Sequence, residues 1–567
     1  MNNQKLDNSL NLALSVDEDV RNKSLDLAVG YEGDKVWELI IRYTGNLNRL
    51  LDLDIEVIEL FLNYAIIRVR EELINEISKF DEIIFIEKPK RLNFEVVNSV
   101  RSSCITSIQS GLKLYGEGCI VGVIDSGIDY ANNVFLDING ETRIVYIWDE
   151  SDNSGNPPAG YMRGSEYNSA QINEAIREER VIGTRDISGH GTAVASVAVG
   201  NFALNKADNI GIATKSEIVA VKLGNPDPNG FPRTSELMMG VDYCIRKSLE
   251  LDKPIAINIS FGNNYGSHDG SSLLEQYINS VASVGRTTIV IGTGNEGTSA
   301  GHFRTKLEDD KDTEIEISVG RFQTSFNVQL WKNYADVIEI EIVSPSGVRT
   351  GKIGGQLSKE VYNLEEGVLL VYYGEPSPFS TAQEIYFEFI PKQDYLQEGV
   401  YVIRITSLDI KIGEIDLWLP IESSLNNAKF LLPDPYVTLT SPSTALNVIS
   451  VGAYDAFFNS YAEFSGRGFL RENNLVKPDI VAPGVNIVAA TSYGVDTFSG
   501  TSFATPVVSG SAALMMEWGI IRKNDPFLYG EKVKAYMIKG AKRLPGEDVP
   551  SRRTGWGALC VADSIPK

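Results

Sequence analysis

The pattern of apolar and polar positions changes several times along the 567 residues, and each change marks a different kind of domain. Residues 36–45 and 81–90 have the composition of strands, and residues 71–80 between them carry apolar positions at helical spacing. The order strand, helix, strand predicts a small α+β domain within residues 1–100. Residues 1 to about 30 are polar, and we expect them to form a loosely ordered arm.

A second pattern, short apolar runs that alternate with helical segments, covers residues 101–302 and returns over residues 429–567. Glycine occurs at or just after the end of these runs, as in GCIVGVIDSG, PIAINISFG and TTIVIGTGNEG. Such runs are typical of parallel strands that are buried on both faces and connected by crossover helices. We therefore predict one α/β domain, built in two parts around a doubly wound parallel sheet.

Between those two parts the pattern is different again. Residues 303–428 contain seven short β-type runs separated by turn residues, with no convincing helix among them. This pattern predicts an all-β sandwich or jelly roll that is inserted into the α/β domain.

The charge of the chain restricts its partners. The formal net charge is −23, and no long block of Lys or Arg is present. An acidic surface repels phosphate backbones and anionic lipids, so we expect neither a nucleic acid nor a membrane as partner. The N-terminus lacks the basic start and apolar run of a signal peptide, and no run of about 18 apolar residues occurs. The sequence therefore predicts a protein that is made and kept in the cytoplasm.

The four cysteines, Cys104, Cys119, Cys244 and Cys560, include no CxxC pair. We therefore expect reduced, mostly buried thiols, with no disulfide framework and no zinc site. No cofactor or metal site is predicted. Aspartate-rich loops leave calcium open, but none of them has a spacing specific enough to assign a site.

Candidate chemistry begins with the histidines, of which there are only three. His268 lies in a polar turn and His302 at the start of the β insertion, where exposed loop residues are the simplest interpretation. His190 is flanked by glycines and opens a helix of small residues, so its side chain can project into a cleft while the backbone packs closely. His190 is therefore the candidate general base.

Three other residues have both a chemical and an ordinary interpretation. Asp125 ends a predicted buried strand, where it could orient an imidazole or cap a turn. Ser502 lies where Pro506 fixes the start of a helix, and it could be a nucleophile or a plain N-cap. Asn295 ends another strand, where its amide could donate to an oxyanion or form a turn.

Together these segments resemble the subtilisin-like serine peptidases, the subtilase family. The order Asp, His, Ser is that of subtilisin. The resemblance covers roughly residues 115–300 and 430–560, and it rests on three motifs: VGVIDSGID, SGHGTAVASVAVG and FSGTSFATPVVSG. The position often held by a second His in the second motif is Ala193, which puts no catalytic role in doubt.

The resemblance implies a role for each of the four residues. Ser502 would be the nucleophile, His190 the general base and then acid, and Asp125 the residue that orients the imidazole. Asn295 and the backbone N–H of Ser502 would stabilise the tetrahedral oxyanion.

The resemblance also implies a substrate-binding region. The strand Ser260, Phe261 and Gly262 would pair with the substrate backbone. The residues Gly292, Thr293 and Gly294 would line the pocket for the side chain before the cut. Glu296 would stand at the rim of that pocket and disfavour an acidic side chain there.

The N-terminal α+β domain resembles the subtilase propeptide, and the β insertion resembles that of the clostridial germination-specific proteases called Csp proteins. This second resemblance implies autocleavage between about Asn93 and Ser107 and a propeptide that can stay bound. It further implies a protein substrate, the zymogen of a spore cortex-lytic hydrolase, and packaging in the spore.

Two other functions remain open from the sequence. The chain could be a pseudopeptidase that binds or senses a partner, although all three catalytic positions hold suitable residue types. It could also be a general intracellular protease. The insertion itself could be a brace for the fold or a docking module.

Overall fold

The computed structural model describes residues 4–24, 26–53, 55–90, 93–94, 103–201, 211–224, 231–354, 358–365, 367–471 and 475–566. The chain forms two compact units. The first comprises Met1–Arg91, Asn263–Leu273 and Glu296–Thr438, and the second comprises Leu92–Gly262, Leu274–Asn295 and Leu439–Lys567.

The N-terminal part of the first unit is the predicted α+β domain. Its helices and strands are α1 (Asn8–Ala13), α2 (Glu18–Arg21), β1 (Val36–Tyr43), α3 (Asn48–Leu51), β2 (Glu56–Leu60), β3 (Tyr64–Arg70), α4 (Glu71–Ile77) and β4 (Ile83–Glu87). The four strands form an antiparallel sheet in the order β2-β3-β1-β4.

The expectation of a loosely ordered arm before this domain is wrong. The Asp7 carboxylate accepts hydrogen bonds from the N–H groups of Ser9 and Leu10 and so caps α1. Leu6 and Leu10 are both buried. Leu6 precedes the cap and forms a β-bridge with Ile86, whereas Leu10 lies within α1, and both pack into the core of the domain. The polar composition of the segment hid these few apolar residues.

The second unit begins with the elements of the first α/β segment. They are β5 (Asn93–Phe94), α5 (Ile105–Leu112), β6 (Ile120–Asp125), β7 (Ile144–Asp149), β8 (Ser165–Asn168), α6 (Ser169–Arg177), α7 (His190–Val199), β9 (Glu217–Lys222), α8 (Thr234–Glu250), β10 (Ile255–Ile259), β11 (Phe261–Gly262), α9 (Leu273–Val281) and β12 (Thr287–Gly292).

The β insertion follows and belongs to the first unit. Its strands are β13 (His302–Lys306), β14 (Asp312–Val319), β15 (Phe326–Asn333), β16 (Val337–Val343), β17 (Ile353–Gly354), β18 (Ser358–Asn363), β19 (Gly367–Tyr373), β20 (Ala382–Pro391), β21 (Gly399–Asp409), β22 (Glu414–Trp418) and β23 (Ala428–Phe430).

These strands form two antiparallel sheets, in the orders β13-β22-β15-β20-β19-β18 and β17-β16-β21-β14-β23. Residues of both sheets, such as Phe387 and Ile403, are fully buried in one shared core. The prediction of an inserted all-β domain is therefore confirmed. A second cluster joins the insertion to the N-terminal domain, because Tyr372 and Tyr386 of the insertion pack in the same core as Leu10.

The second α/β segment completes the second unit. Its elements are β24 (Ile449–Asp455), β25 (Ser460–Tyr461), β26 (Ile480–Pro483), β27 (Ile487–Thr491), β28 (Gly494–Phe498), α10 (Thr501–Met516), α11 (Glu531–Gly540) and α12 (Val561–Ser564).

The central sheet of this unit has the order β25-β24-β12-β10-β6-β9-β7-β8, with β26 paired to β24. Only β8 and β25 run antiparallel to their neighbours. The central strands β6, β10 and β12 are completely buried, which explains why their sequences are continuous apolar runs. The α/β prediction is therefore confirmed. None of the helices in the described ranges is long and apolar enough to cross a membrane.

The prediction of four reduced cysteines is wrong for one pair. Cys104 and Cys560 form a disulfide, whereas Cys119 and Cys244 are buried free thiols. The two bonded cysteines are 456 residues apart, so no local spacing could indicate the pair. They meet because the Val561 N–H donates to the Ser103 carbonyl, which brings the start of α12 to the residues before α5.

A buried carboxyl group connects the insertion with the N-terminal domain. Glu388 of β20 is completely buried, and its carboxyl accepts hydrogen bonds from the hydroxyls of Ser24 (2.6 Å) and Tyr386 (2.8 Å). Burial raises the pKa of Glu388, and the nearby charge of Asp26 raises it further. The neutral form of Glu388 is therefore the form that this packing favours.

We expect Glu388→Gln to stabilise the first unit at pH 8 more than at pH 5. A carboxyl whose pKa is raised on folding costs stability as the pH rises above its ordinary value of 4.5, because only the unfolded chain ionises freely. Glutamine removes this cost, which amounts to about 1.4 kcal/mol for each unit of pKa shift. The midpoint of urea unfolding at the two pH values measures the effect.

The matched control is Glu316→Gln, which changes an exposed carboxyl on β14 of the same insertion. Its effect on the midpoint should be small at both pH values. An equal gain for Glu388→Gln at pH 5 and pH 8 would show that Glu388 ionises normally in the folded protein.

Candidate active site

Three neighbouring strands bring candidate residues to one edge of the sheet. In the parallel registers, Ile259 of β10 lies beside Ile124 of β6 and beside Ile291 of β12. The residues that directly follow these three are therefore level at the carboxyl ends of the strands: Asp125, Ser260 and Gly292.

His190 reaches this edge from the start of α7. Its Nδ1 lies 2.7 Å from Asp125 Oδ1, and both side chains are buried. Because a carboxylate only accepts, Nδ1 carries the proton and Nε2 is left as the basic nitrogen. The imidazole ring also contacts the rings of Phe261 and Phe503, with centroids 6.2 and 5.7 Å away. These two residues directly follow Ser260 and Ser502 in the chain.

Ser502 lies in the first turn of α10 and is bonded to the end of β10 in both directions. Its hydroxyl donates to the Ser260 carbonyl over 3.4 Å, and the Ser260 hydroxyl donates to the Ser502 carbonyl over 3.1 Å. In a regular helix the N–H of residue 506 would bond to that carbonyl, but Pro506 has no N–H. The proline therefore leaves the Ser502 carbonyl available to Ser260.

Asn295 is oriented by the residue that precedes the serine. The Asn295 amide oxygen accepts from the Thr501 N–H at 3.1 Å and from the Thr501 hydroxyl at 3.4 Å. The same hydroxyl accepts from the Gly294 N–H at 3.2 Å. Because the oxygen of Asn295 is engaged, its NH₂ group is the end that remains to donate at the site.

A segment of the chain itself occupies the edge of β11. Asn93 and Phe94 form β5, which pairs antiparallel with Gly262 and Phe261, respectively. A backbone strand is thus added beside the predicted substrate-binding residues, and it comes from the segment just after the N-terminal domain.

Comparison with known proteins agrees with this arrangement. A family model described as "Subtilase family" matches residues 116–377 and 433–557, and one described as "Csp protease B prodomain" matches residues 4–90. The chain belongs to the subtilase family. The subtilase match spans both α/β segments and carries the motifs of Asp125, His190 and Ser502.

Relatives of known structure or name support the same membership. The solved structure of the CspB protease of Clostridium perfringens is 40% identical and has a TM-score of 0.77, covering 82% of this chain and 96% of that one. The minor extracellular protease Vpr of Bacillus subtilis is 23% identical over 79% of this chain. This subtilase chain spans only about half, 52%, of the length of Vpr.

The predicted pocket residues are placed close to the start of α10. A side chain at Gly292 would come within 2.8 Å of the Thr505 hydroxyl, so only glycine fits there. Gly294 has a φ of +87°, which also favours glycine. Thr293 is fully buried, and its hydroxyl lies 3.4 Å from that of Ser465. The side chain of Thr293 is thus packed inside this subtilase.

One positioning residue of the subtilase site was missed by the sequence analysis. The Asp186 carboxylate accepts from the N–H groups of Gly189 and Thr192 and from the hydroxyls of Ser126 and Thr192. It thereby holds the start of α7 and ties it to the residue after Asp125. An aspartate four positions before a helix-starting His was the available signal, because acidic groups stabilise helix N-termini.

Two predictions about the remaining histidines are wrong. His268 and His302 are buried, not exposed, and both stack on Trp418 with ring centroids 4.1 and 4.8 Å away. His302 is also bonded through Nε2 to Asp416 Oδ1 at 2.9 Å. Aromatic stacking on Trp418 gives both residues a packing role in the first unit. Among the described residues, no group of three or more His, Cys, Asp or Glu side chains could hold a metal ion.

Glu296, which the resemblance predicts to stand at the rim of the pocket, belongs to the first unit. It is buried, and its carboxylate accepts from the N–H of Glu422 at 3.2 Å. Burial raises the pKa of Glu296 to about 7. A neutral or half-ionised, bonded carboxyl repels an acidic ligand much less than an exposed carboxylate does.

We expect Asn295→Asp to lower kcat for a fluorogenic peptide about 100- to 1,000-fold while changing KM little. Aspartate keeps the oxygen that Thr501 binds but lacks the NH₂ donor. The control Asn459→Asp changes an exposed turn residue of the same unit and should leave kcat unaltered. A normal kcat in Asn295→Asp would show that the Asn295 amide does not stabilise the oxyanion.

Proposed function

We propose that this chain is a serine endopeptidase in which Ser502, His190 and Asp125 form the catalytic triad. The observation that carries the proposal is the 2.7 Å contact between His190 Nδ1 and Asp125, at the sheet edge to which Ser502, in the first turn of α10, is also bonded. Family membership supports the same reaction, the hydrolysis of peptide bonds.

In the proposed reaction, Ser502 Oγ attacks the substrate carbonyl carbon and His190 Nε2 takes the hydroxyl proton. Asp125 stabilises the imidazolium that forms. The carbonyl oxygen becomes an oxyanion, which accepts hydrogen bonds from the Asn295 NH₂ group and the Ser502 N–H. The latter is free to donate because the first N–H groups of a helix have no partner within it. His190 then returns the proton to the leaving amine, and water hydrolyses the acyl-enzyme.

The first substrate of this triad is proposed to be the chain itself. In the antiparallel register, Gly262 pairs with Asn93 and Phe261 with Phe94. The residue after Phe94 in the sequence is Glu95. The Ser502 hydroxyl lies 3.4 Å from the carbonyl of Ser260, the residue just before Phe261, so we propose that Ser502 attacks the bond after Glu95.

We therefore narrow the predicted cleavage region, Asn93 to Ser107, to the bond between Glu95 and Val96. Residues 95–102 lie outside the described residues, so the assignment rests on the register of β5 and β11 alone.

The proposed physiological role follows the resemblance to CspB. A Csp protease B prodomain and 40% identity to CspB support a retained propeptide and a role in spore germination. The proposed protein substrate is the zymogen of a cortex-lytic hydrolase, and the proposed location is the cytoplasm at synthesis and then the spore.

We expect wild-type protein to separate into residues 1–95 and 96–567, while Ser502→Ala stays whole. Intact mass spectrometry identifies both fragments, and the larger fragment should begin Val-Val-Asn-Ser. Denaturing conditions are required, because a retained propeptide would copurify with the remainder.

The outcomes separate the competing functions. If wild type is cut at another bond and Ser502→Ala stays whole, the result would support the triad and contradict the assigned cleavage bond. If neither protein is cut, labelling of Ser502 with a serine-directed phosphonate decides between a pseudopeptidase, which stays unlabelled, and an enzyme that another protease must mature.

A further inference from the structure

A cavity of about 100 Å³ lies between the N-terminal domain and the β insertion, within the first unit. Its lining includes Asp7 and Glu87, from the cap of α1 and the end of β4, and Glu384 of β20. The peptidase reaction uses none of these groups.

The charges of this cavity are unbalanced. The groups that act on one another there are the carboxyls of Asp7, Glu87 and Glu384 and the ammonium groups of Lys88 and Lys90. Lys90 Nζ is paired with Glu87 at 3.1 Å. The other lining lysine, Lys88, donates to the backbone carbonyls of Asp26 and Pro89. The lining of the cavity therefore contains more carboxyl groups than lysines, namely Asp7, Asp26, Glu87, Glu375 and Glu384 against Lys88 and Lys90.

The pKa of Glu384 is affected by these neighbouring charges. Burial raises its pKa to about 7, and the charges of Asp7 and Glu87 oppose its ionisation, although Lys90 and a hydrogen bond from Asn8 favour it. An added positive charge in the cavity would stabilise the ionised carboxylate.

The lining also contains aromatic residues. Phe85 and Phe379 meet edge to face with centroids 5.6 Å apart, and Trp331 and Tyr372 are among the other aromatic residues of the lining. Aromatic faces attract cations, and aromatic walls exclude water from the alkyl part of a ligand. A cavity of roughly 150 Å³ accommodates a benzene ring. A ligand of about five non-hydrogen atoms is therefore the appropriate size here.

We propose that this cavity is a binding site for a small primary alkylammonium ligand. The ammonium group donates to Glu384 and Glu87, and the alkyl chain lies against Phe85, Phe379 and Trp331. Because Glu87 belongs to the N-terminal domain and Glu384 to the insertion, the bound cation connects the two and stabilises their association.

The test uses the full-length Ser502→Ala chain, so that the N-terminal domain stays attached whatever the activity of the wild type. Isothermal titration with n-butylammonium chloride, at constant ionic strength and pH 8, should give saturable binding. The uncharged probe 1-butanol and the anionic probe butyrate have the same alkyl chain, and each should bind at least tenfold more weakly.

Two variants locate the site. Glu384→Gln removes one carboxylate, and Ala382→Leu fills the cavity without changing any charge; each should weaken n-butylammonium binding at least tenfold. The control Glu398→Gln removes an exposed carboxylate that pairs with Arg321 on the same insertion, and it should bind as the parent does. Near-ultraviolet circular dichroism verifies that each variant is folded.

The proposal is overturned if the heat of titration with n-butylammonium does not saturate, because this would mean that the cavity holds only water. It is also overturned if 1-butanol binds as tightly as n-butylammonium, or if Glu384→Gln and Ala382→Leu, both folded, bind as the parent does. Saturable binding that is lost in those two variants and kept in Glu398→Gln supports it.

Discussion

Neighbouring parallel strands that share a register end at the same level, and the active-site region of this protein depends on that constraint. Asp125, Ser260 and Gly292 are level because β6, β10 and β12 are paired without a shift. The helices α7 and α10 begin above this edge, so His190 and Ser502 point their side chains toward the same strand ends. Once the sheet is formed, few further contacts are needed to assemble the site.

Those few contacts are specific. The exchange of hydrogen bonds between Ser260 and Ser502 requires a helix carbonyl without its usual partner, and Pro506 provides it. Asp186 holds the first turn of α7, and Thr501 holds Asn295. Each contact ties a loop or helix start to a strand end, so the reactive groups are positioned by the rigid sheet rather than by flexible segments.

Much of this architecture could be predicted from the sequence because it is encoded locally. Each of three local patterns indicates the backbone structure at its own position: the buried run before Asp125, the glycines around His190 and the proline after Ser502. The disulfide of Cys104 and Cys560 could not be predicted, because it depends on segments 456 residues apart. The burial of His268 and His302 was hidden for the same reason, since Trp418 lies far from His268 in the chain. The helix α1 was missed because its apolar residues are few among the polar residues of that segment.

The disulfide has a consequence for the environment in which this protein is stable. It closes a loop that contains nearly all of the second unit as well as the insertion, and long loops restrict the unfolded chain most. In a reducing cytoplasm the thiol pool keeps such cysteines reduced, whereas an oxidising environment allows them to form the disulfide. The stability of the second unit is thus coupled to the redox potential around it, and resistance to unfolding increases when the protein leaves reducing conditions.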